Sequence, residues 1–148
     1  MNKILILHGP NLNLLGEREQ ELYGNQTLEN INDILEDIAD EQGFKVLNFQ
    51  SNHEGLLIDC LHQNRKKVLG VVFNPGAYTH TSIALRDAVS AIKIPVVEVH
   101  LTDLMKREDF RKVSVIKGVC LATFMGEGVE SYRKALMHLI NSLRTSVK

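Results

Sequence analysis

Tryptophan is absent from this chain, and aromatic residues make up only 5% of it. Lys+Arg number 17 against Asp+Glu 18, for a formal net charge of −1. With no basic block and few rings to stack on bases, the chain lacks the surface that nucleic-acid binding rests on. Apolar runs are short, so neither a signal-peptide core nor a membrane span is expected. Cysteine is nearly absent too. Cys60 and Cys120 sit within apolar patterns and read as free buried thiols ahead of a metal pair or a disulfide, which fits a reducing, cytoplasmic setting. No H-E-x-x-H, C-x-x-C or carboxylate cluster supports a metal site, and no G-x-S-x-G elbow supports a serine hydrolase.

What is present is an alternation. Short Val/Ile/Leu/Phe runs at residues 4–7, 45–49, 68–73, 95–99 and near 119–124 read as strands. They are continuous rather than alternating, as in a parallel sheet covered on both faces. Between them lie helical spacings: Leu28, Ile31, Ile34, Leu35 and Ile38, stopped by Gly43; Leu56, Leu57, Cys60 and Leu61; then Ile83, Ala84, Ala88 and Ala91, capped by Thr81 or Ser82. A last helix follows Gly128 with Leu136, Leu139 and Ile140. At 148 residues this predicts a single domain over 1–148. The expected fold is α/β: a flavodoxin-like three-layer α/β/α sandwich with a five-stranded parallel sheet in the order 2-1-3-4-5.

That order directs the search for function. Ligands of open parallel sheets bind outside the carboxyl ends of the strands, at the switch point, here between the first and third strands. The segments to examine are residues 8–26, 74–82 and 100–111. The first contains "GPNLNLLGEREQELYG", residues 9–24, which is placed like a phosphate loop. It has neither the G-x-x-x-x-G-K-[ST] nor the G-x-G-x-x-G pattern. Instead it carries Asn11, Asn13, Arg18 and Tyr23. A phenol is a poor base at neutral pH, and a neighbouring arginine favours the phenolate. Tyr23 therefore reads either as a base tuned by Arg18, on a loop able to close over a site, or as a loop aromatic packed on the surface.

"NPGAYTHTS", residues 74–82, follows an apolar strand with turn chemistry and with Asn74 and His80. Glu98 and His100 are two apart on the fourth strand and project to one face. They read equally as an oriented acid or base and as a structural pair. Arg107 and Arg111, four apart, suit one helical turn and bidentate anion recognition. His53, His62 and His138 read as surface or packing residues.

"GPNLNLLGEREQELYG", "FNPGAYTHTSIALRDA" (73–88) and "EVHLTDLMKREDFRKVS" (98–114) together resemble type II 3-dehydroquinate dehydratase, the type II dehydroquinase. The resemblance runs over nearly the whole chain in order and spacing. It implies a flavodoxin-like fold and a cofactor-free trans elimination of water from 3-dehydroquinate through an enolate, giving 3-dehydroshikimate. Carried over by motif, Tyr23 is the base, Arg18 keeps its phenol ionisable, and Asn11 positions a water at the enolate oxygen. His100, held by Glu98, protonates the departing hydroxyl. Asn74, His80 and Arg111 bind substrate hydroxyls, and Leu101 and Thr102 hold the carboxylate. The resemblance further implies trimers assembled into dodecamers, with Asp87 of a neighbouring subunit reaching the site. Gln20 stands where the family more often has proline, which predicts a looser loop. Asp103 stands in place of asparagine, which sets a negative charge near the carboxylate pocket.

Three other readings compete with this one. A flavin-binding or receiver-type module would need a Ser/Thr-rich or acidic strand end, where this chain has His8 and Asn74. A Schiff-base dehydratase would need a desolvated lysine, which Lys45, Lys93 and Lys106 do not suggest. An inactive scaffold would have no use for Arg18, Tyr23 and His100.

Overall fold

The computed structural model describes residues 2–146. Among these residues, β1 (Lys3–His8), β2 (Lys45–Gln50), β3 (Gly70–Asn74), β4 (Val96–His100) and β5 (Ala122–Met125) form one sheet. Every pairing is parallel and the order is β2-β1-β3-β4-β5, as the alternation of runs predicts. The helices are α1 (Gln20–Tyr23), α2 (Leu28–Glu41), α3 (Glu54–Asn64), α4 (Ile83–Ala91) and α5 (Val129–Thr145).

Strand parity distributes the core. Ile4, Ile6, Val72, Val97 and Val99 point towards Ile31 and Leu35 of α2 and Leu136, Leu139 and Ile140 of α5. Leu5, Leu7, Val71, Phe73 and Val96 point the other way, towards Leu57 and Leu61 of α3 and Leu85 and Val89 of α4. Each of these large apolar side chains contributes about 2 kcal/mol by leaving water. The helix starts are written locally. Thr27 and Asn30 exchange hydrogen bonds with each other's backbone N–H in a capping box before α2, and Ser82 accepts from Leu85 N–H ahead of α4.

Some predicted boundaries shift. β5 begins at Ala122 rather than near 119, because residues Lys117–Val119 close a 3-10 turn and Leu121 N–H is already bonded to the Val96 carbonyl. Arg107 and Arg111 do not share a helical turn. Two separate 3-10 turns, Leu104–Lys106 and Asp109–Arg111, carry the chain there, with Arg107 extended between them. The opening segment contains a helical turn, α1, where the sequence reads as loop. β2 is an edge strand, and it leaves Leu47 and Phe49 exposed rather than covered on both faces.

Two loops lock together where β1 and β3 end. The β1–β3 register sets His8 beside Asn74, and Gly9 N–H donates to the Asn74 carbonyl at 2.7 Å. A side chain on Gly9 would put Cβ 2.5 Å from the Pro75 carbonyl oxygen, closer than atoms can pack. Gly76, at φ +59°, answers by passing close to Pro10. The loops after β1 and β3 thus form one interlocked floor.

Candidate active site

A pocket of about 150 Å³ opens over that floor at the carboxyl ends of β1, β3 and β4. Such a volume suits a small molecule rather than a polymer segment. Ten of the residues singled out from sequence line it: Asn11, Arg18, Tyr23, Asn74, His80, His100, Leu101, Thr102, Arg107 and Arg111. Glu98 lies beneath the pocket and touches it through His100, whereas Asp87 sits exposed on α4, outside this chain's pocket.

Glu98 is a fully buried carboxylate among valines on β4, so its partners decide its state. His100 Nε2 is 2.6 Å from its Oε2, and the hydroxyls of Thr79 and Ser114 donate to it as well. Burial opposes its ionisation, but the hydrogen bonds from His100, Thr79 and Ser114 and the histidine's charge outweigh that and hold the carboxyl below the usual carboxylate range. With Nε2–H committed to Glu98, Nδ1 is the His100 nitrogen left for a ligand. His80 is fixed in a similar way. Its Nδ1 lies 2.8 Å from the Val113 carbonyl, which can only accept, so Nδ1 carries the proton and Nε2 is the nitrogen left over.

The opposite wall is the opening segment. The Arg18 guanidinium carbon stands 4.0 Å from the Tyr23 ring centroid, and that of Arg107 stands 5.7 Å away. Two guanidinium groups thus face one ring in cation–π contact. Arg107 also donates to Thr102 Oγ1 at 3.2 Å, tying this wall to the end of β4. Asn11 takes the left-handed conformation at φ 68°, which asparagine tolerates better than most residues, and its N–H donates to Asn52 Oδ1 at 3.0 Å. Arg111 donates through Nε to Glu108 at 2.8 Å; that hydrogen bond, followed by others on its own backbone, lowers the Glu108 carboxyl.

The two departures in the motifs have local explanations. Gln20 Nε2 donates to the Gly16 carbonyl at 2.6 Å, so a side chain closes the loop that proline would stiffen. Asp103 turns from the pocket to accept Met105 N–H at 2.9 Å, capping the turn Leu104–Lys106. Sequence reasoning missed Thr79 and Ser114. Both lie inside the quoted motifs, but nothing local says that their hydroxyls meet at Glu98. It also passed over His8, although a polar residue ending an apolar strand is the same signal that marked Asn74.

The Dehydroquinase class II family profile matches residues 2–140. The chain is 51% identical over 144 residues to the 3-dehydroquinate dehydratase of Halothermothrix orenii, covering 97% of each. It is 56% identical over 134 residues to that of Pelotomaculum thermopropionicum, covering 90% of this chain and 93% of the relative. Among solved structures, the type II dehydroquinase of Butyrivibrio crossotus superposes with a TM-score of 0.91 at 40% identity, over 93% of this chain and 97% of that one. These likenesses over nearly the whole length show that the chain belongs to the class II dehydroquinase family.

Proposed function

We propose that this chain dehydrates 3-dehydroquinate to 3-dehydroshikimate, a shikimate-pathway step that serves aromatic biosynthesis or quinate breakdown. The observation that carries this reading is the convergence on one pocket of a tyrosine beneath two guanidinium groups and a histidine held by a buried carboxylate. Eliminating water beside a ketone needs a base for the α-proton, a stabilised enolate oxygen and an acid for the departing hydroxyl.

Tyr23, as phenolate, takes the proton, with Arg18 supplying the charge that favours that form. Asn11 positions a water at the enolate oxygen. His100 delivers a proton from Nδ1 to the leaving hydroxyl while Nε2–H stays with Glu98, which stabilises the imidazolium from below. Asn74, His80 and Arg111 hold substrate hydroxyls. The Leu101 backbone and the Thr102 hydroxyl hold the carboxylate, and no cofactor takes part.

The same reading takes residues 1–148 as one catalytic domain with a flavodoxin-like three-layer α/β/α sandwich, supported by helices packed on both sheet faces. It takes the assembly as a dodecamer built from four trimers, with Asp87 of a neighbouring subunit completing the site. An exposed Asp87 outside its own chain's pocket is in keeping with that. A cytoplasmic setting accords with two unpaired cysteines.

The test is spectrophotometric. Purified protein given 3-dehydroquinate should produce the ultraviolet absorbance of the conjugated enone, and Tyr23→Phe should not. A folded wild type that yields no enone would refute the reading.

A further inference from the structure

Behind the pocket wall runs a chain of buried polar groups to which the roles above assign nothing. His8, at the end of β1, is fully buried. Its Nε2 lies 2.8 Å from Asn32 Oδ1 on α2, and its Nδ1 lies 2.9 Å from the Tyr132 hydroxyl on α5. Tyr132 is also fully buried, and its oxygen accepts from Asn74 Nδ2 at 3.0 Å. Of these four residues only Asn74 reaches the pocket.

One backbone amide fixes the direction of every bond in the chain. Gly76 N–H donates to Asn74 Oδ1 at 3.0 Å, so that atom is the carbonyl oxygen and Nδ2 is the donor. Because Nδ2 donates to the Tyr132 oxygen, the phenol proton goes to His8 Nδ1, the remaining acceptor. An accepting Nδ1 requires the neutral imidazole protonated on Nε2, and Nε2–H then donates to Asn32 Oδ1. Burial lowers His8 to about 4, against a hydrogen bond to the Asn32 carbonyl that raises it, so the imidazole stays neutral in neutral solution. Burial pushes the Tyr132 phenol up, which keeps its proton in place. Two of the four hydrogen-bonding positions on the Asn74 amide are therefore committed inward. One N–H and one carbonyl lone pair are left for the pocket.

We propose that His8 and Tyr132 are positioning residues that, through this directed chain, hold the Asn74 amide in the orientation its ligand requires. The inference rests on the reading of Asn74 as a contact to a substrate hydroxyl. Without the phenol, Nδ2 loses its inner partner and the amide turns more freely about its last torsion. A donor and an acceptor aimed at the substrate are then no longer held in place. A network serving only the fold would lower stability and leave substrate binding alone.

Tyr132→Phe removes the hydroxyl and keeps the ring. KM should rise roughly tenfold, with kcat within about threefold of wild type, since the lost restraint serves binding of substrate and transition state alike. In an Asn74→Ala background the same substitution should change KM by less than about twofold, because its effect passes through that amide. An unchanged KM in Tyr132→Phe, or full multiplication of the two effects, would overturn the inference and leave the dehydratase reading standing. The wild type gives a readout that does not depend on a variant folding. Nitrogen-15 spectra at neutral pH should show His8 neutral and protonated on Nε2, and either an Nδ1–H tautomer or an imidazolium would overturn the directed chain. A wild type inactive on 3-dehydroquinate would instead overturn the dehydratase reading, and this inference with it.

Discussion

Tyr23 and His100 face one pocket from supports of opposite character. Tyr23 stands on a segment whose residues 17–26 are mostly exposed, held by one helical turn, by the Gln20–Gly16 hydrogen bond and by stacked guanidinium groups. His100 ends a fully buried strand, and its partner Glu98 draws hydrogen bonds from the 3-10 turn Gly76–His80 and from Ser114. The contrast separates two kinds of functional residue. On the exposed wall chemistry can change while the fold does not, because few core contacts depend on those side chains. On the buried wall the group that orients His100 is itself part of the interior, so a substitution there is expected to lower activity and stability together.

Breaking the exposed wall should give the largest effect. Tyr23→Phe is expected to lower kcat about 10³-fold while unfolding free energy stays within about 0.5 kcal/mol of wild type. Steady-state kinetics beside urea unfolding would check it, and a stability loss like that of a core residue would erase the contrast. Glu98→Gln should strike both quantities, costing roughly 10² in kcat and about 2 kcal/mol of stability, because an amide cannot accept what the carboxylate accepts. A stable but inactive Glu98→Gln protein would show that its neighbours tolerate the amide.

The pH dependence of stability sharpens the same comparison. His8 is lowered from 6.5 to about 4, so the unfolded chain binds a proton that the folded one refuses. Stability from this group is complete above 6.5, falls as the pH drops towards 4, and levels off below. The whole loss is about 3 kcal/mol. Glu98, also lowered, contributes stability that is present above the ordinary glutamate value and lost as the pH falls below it. Urea midpoints measured from pH 7 to 4 should show the first slope in wild type and a shallower one in His8→Gln. Equal slopes would mean that the folded protein admits the charge. The smallest effect is expected at Gln20→Ala, where one exposed hydrogen bond is lost: a KM change of no more than about threefold, with stability unchanged within about 0.5 kcal/mol.

Features that depend on neighbours in sequence were legible in advance. The apolar runs, the Ser82 cap and the polar residues just beyond strand ends are local patterns, and they sufficed for the sheet order and for ten of the residues lining the pocket. What escaped depends on register. Ser114 meets Glu98, and Tyr132 meets both His8 and Asn74, only after distant segments have paired, so no periodicity marks them. The helical turn α1 and the split between Arg107 and Arg111 escaped for another reason: one-turn elements are too short to show a repeat.

The interlocked glycines at the ends of β1 and β3 bear on how the working site comes into being. Gly9 and Gly76 can pass so close to Pro75 and Pro10 only when the two strands lie side by side in their final register. A slip of one residue would turn His8 and Asn74 to the opposite face. The chain must therefore have closed the long loop through β2 and α3 before any pocket floor exists, which is a slow kind of event in folding. During refolding, catalysis should return with the central sheet and not with the helices, so enzyme activity becomes a clock for the pairing of two strands.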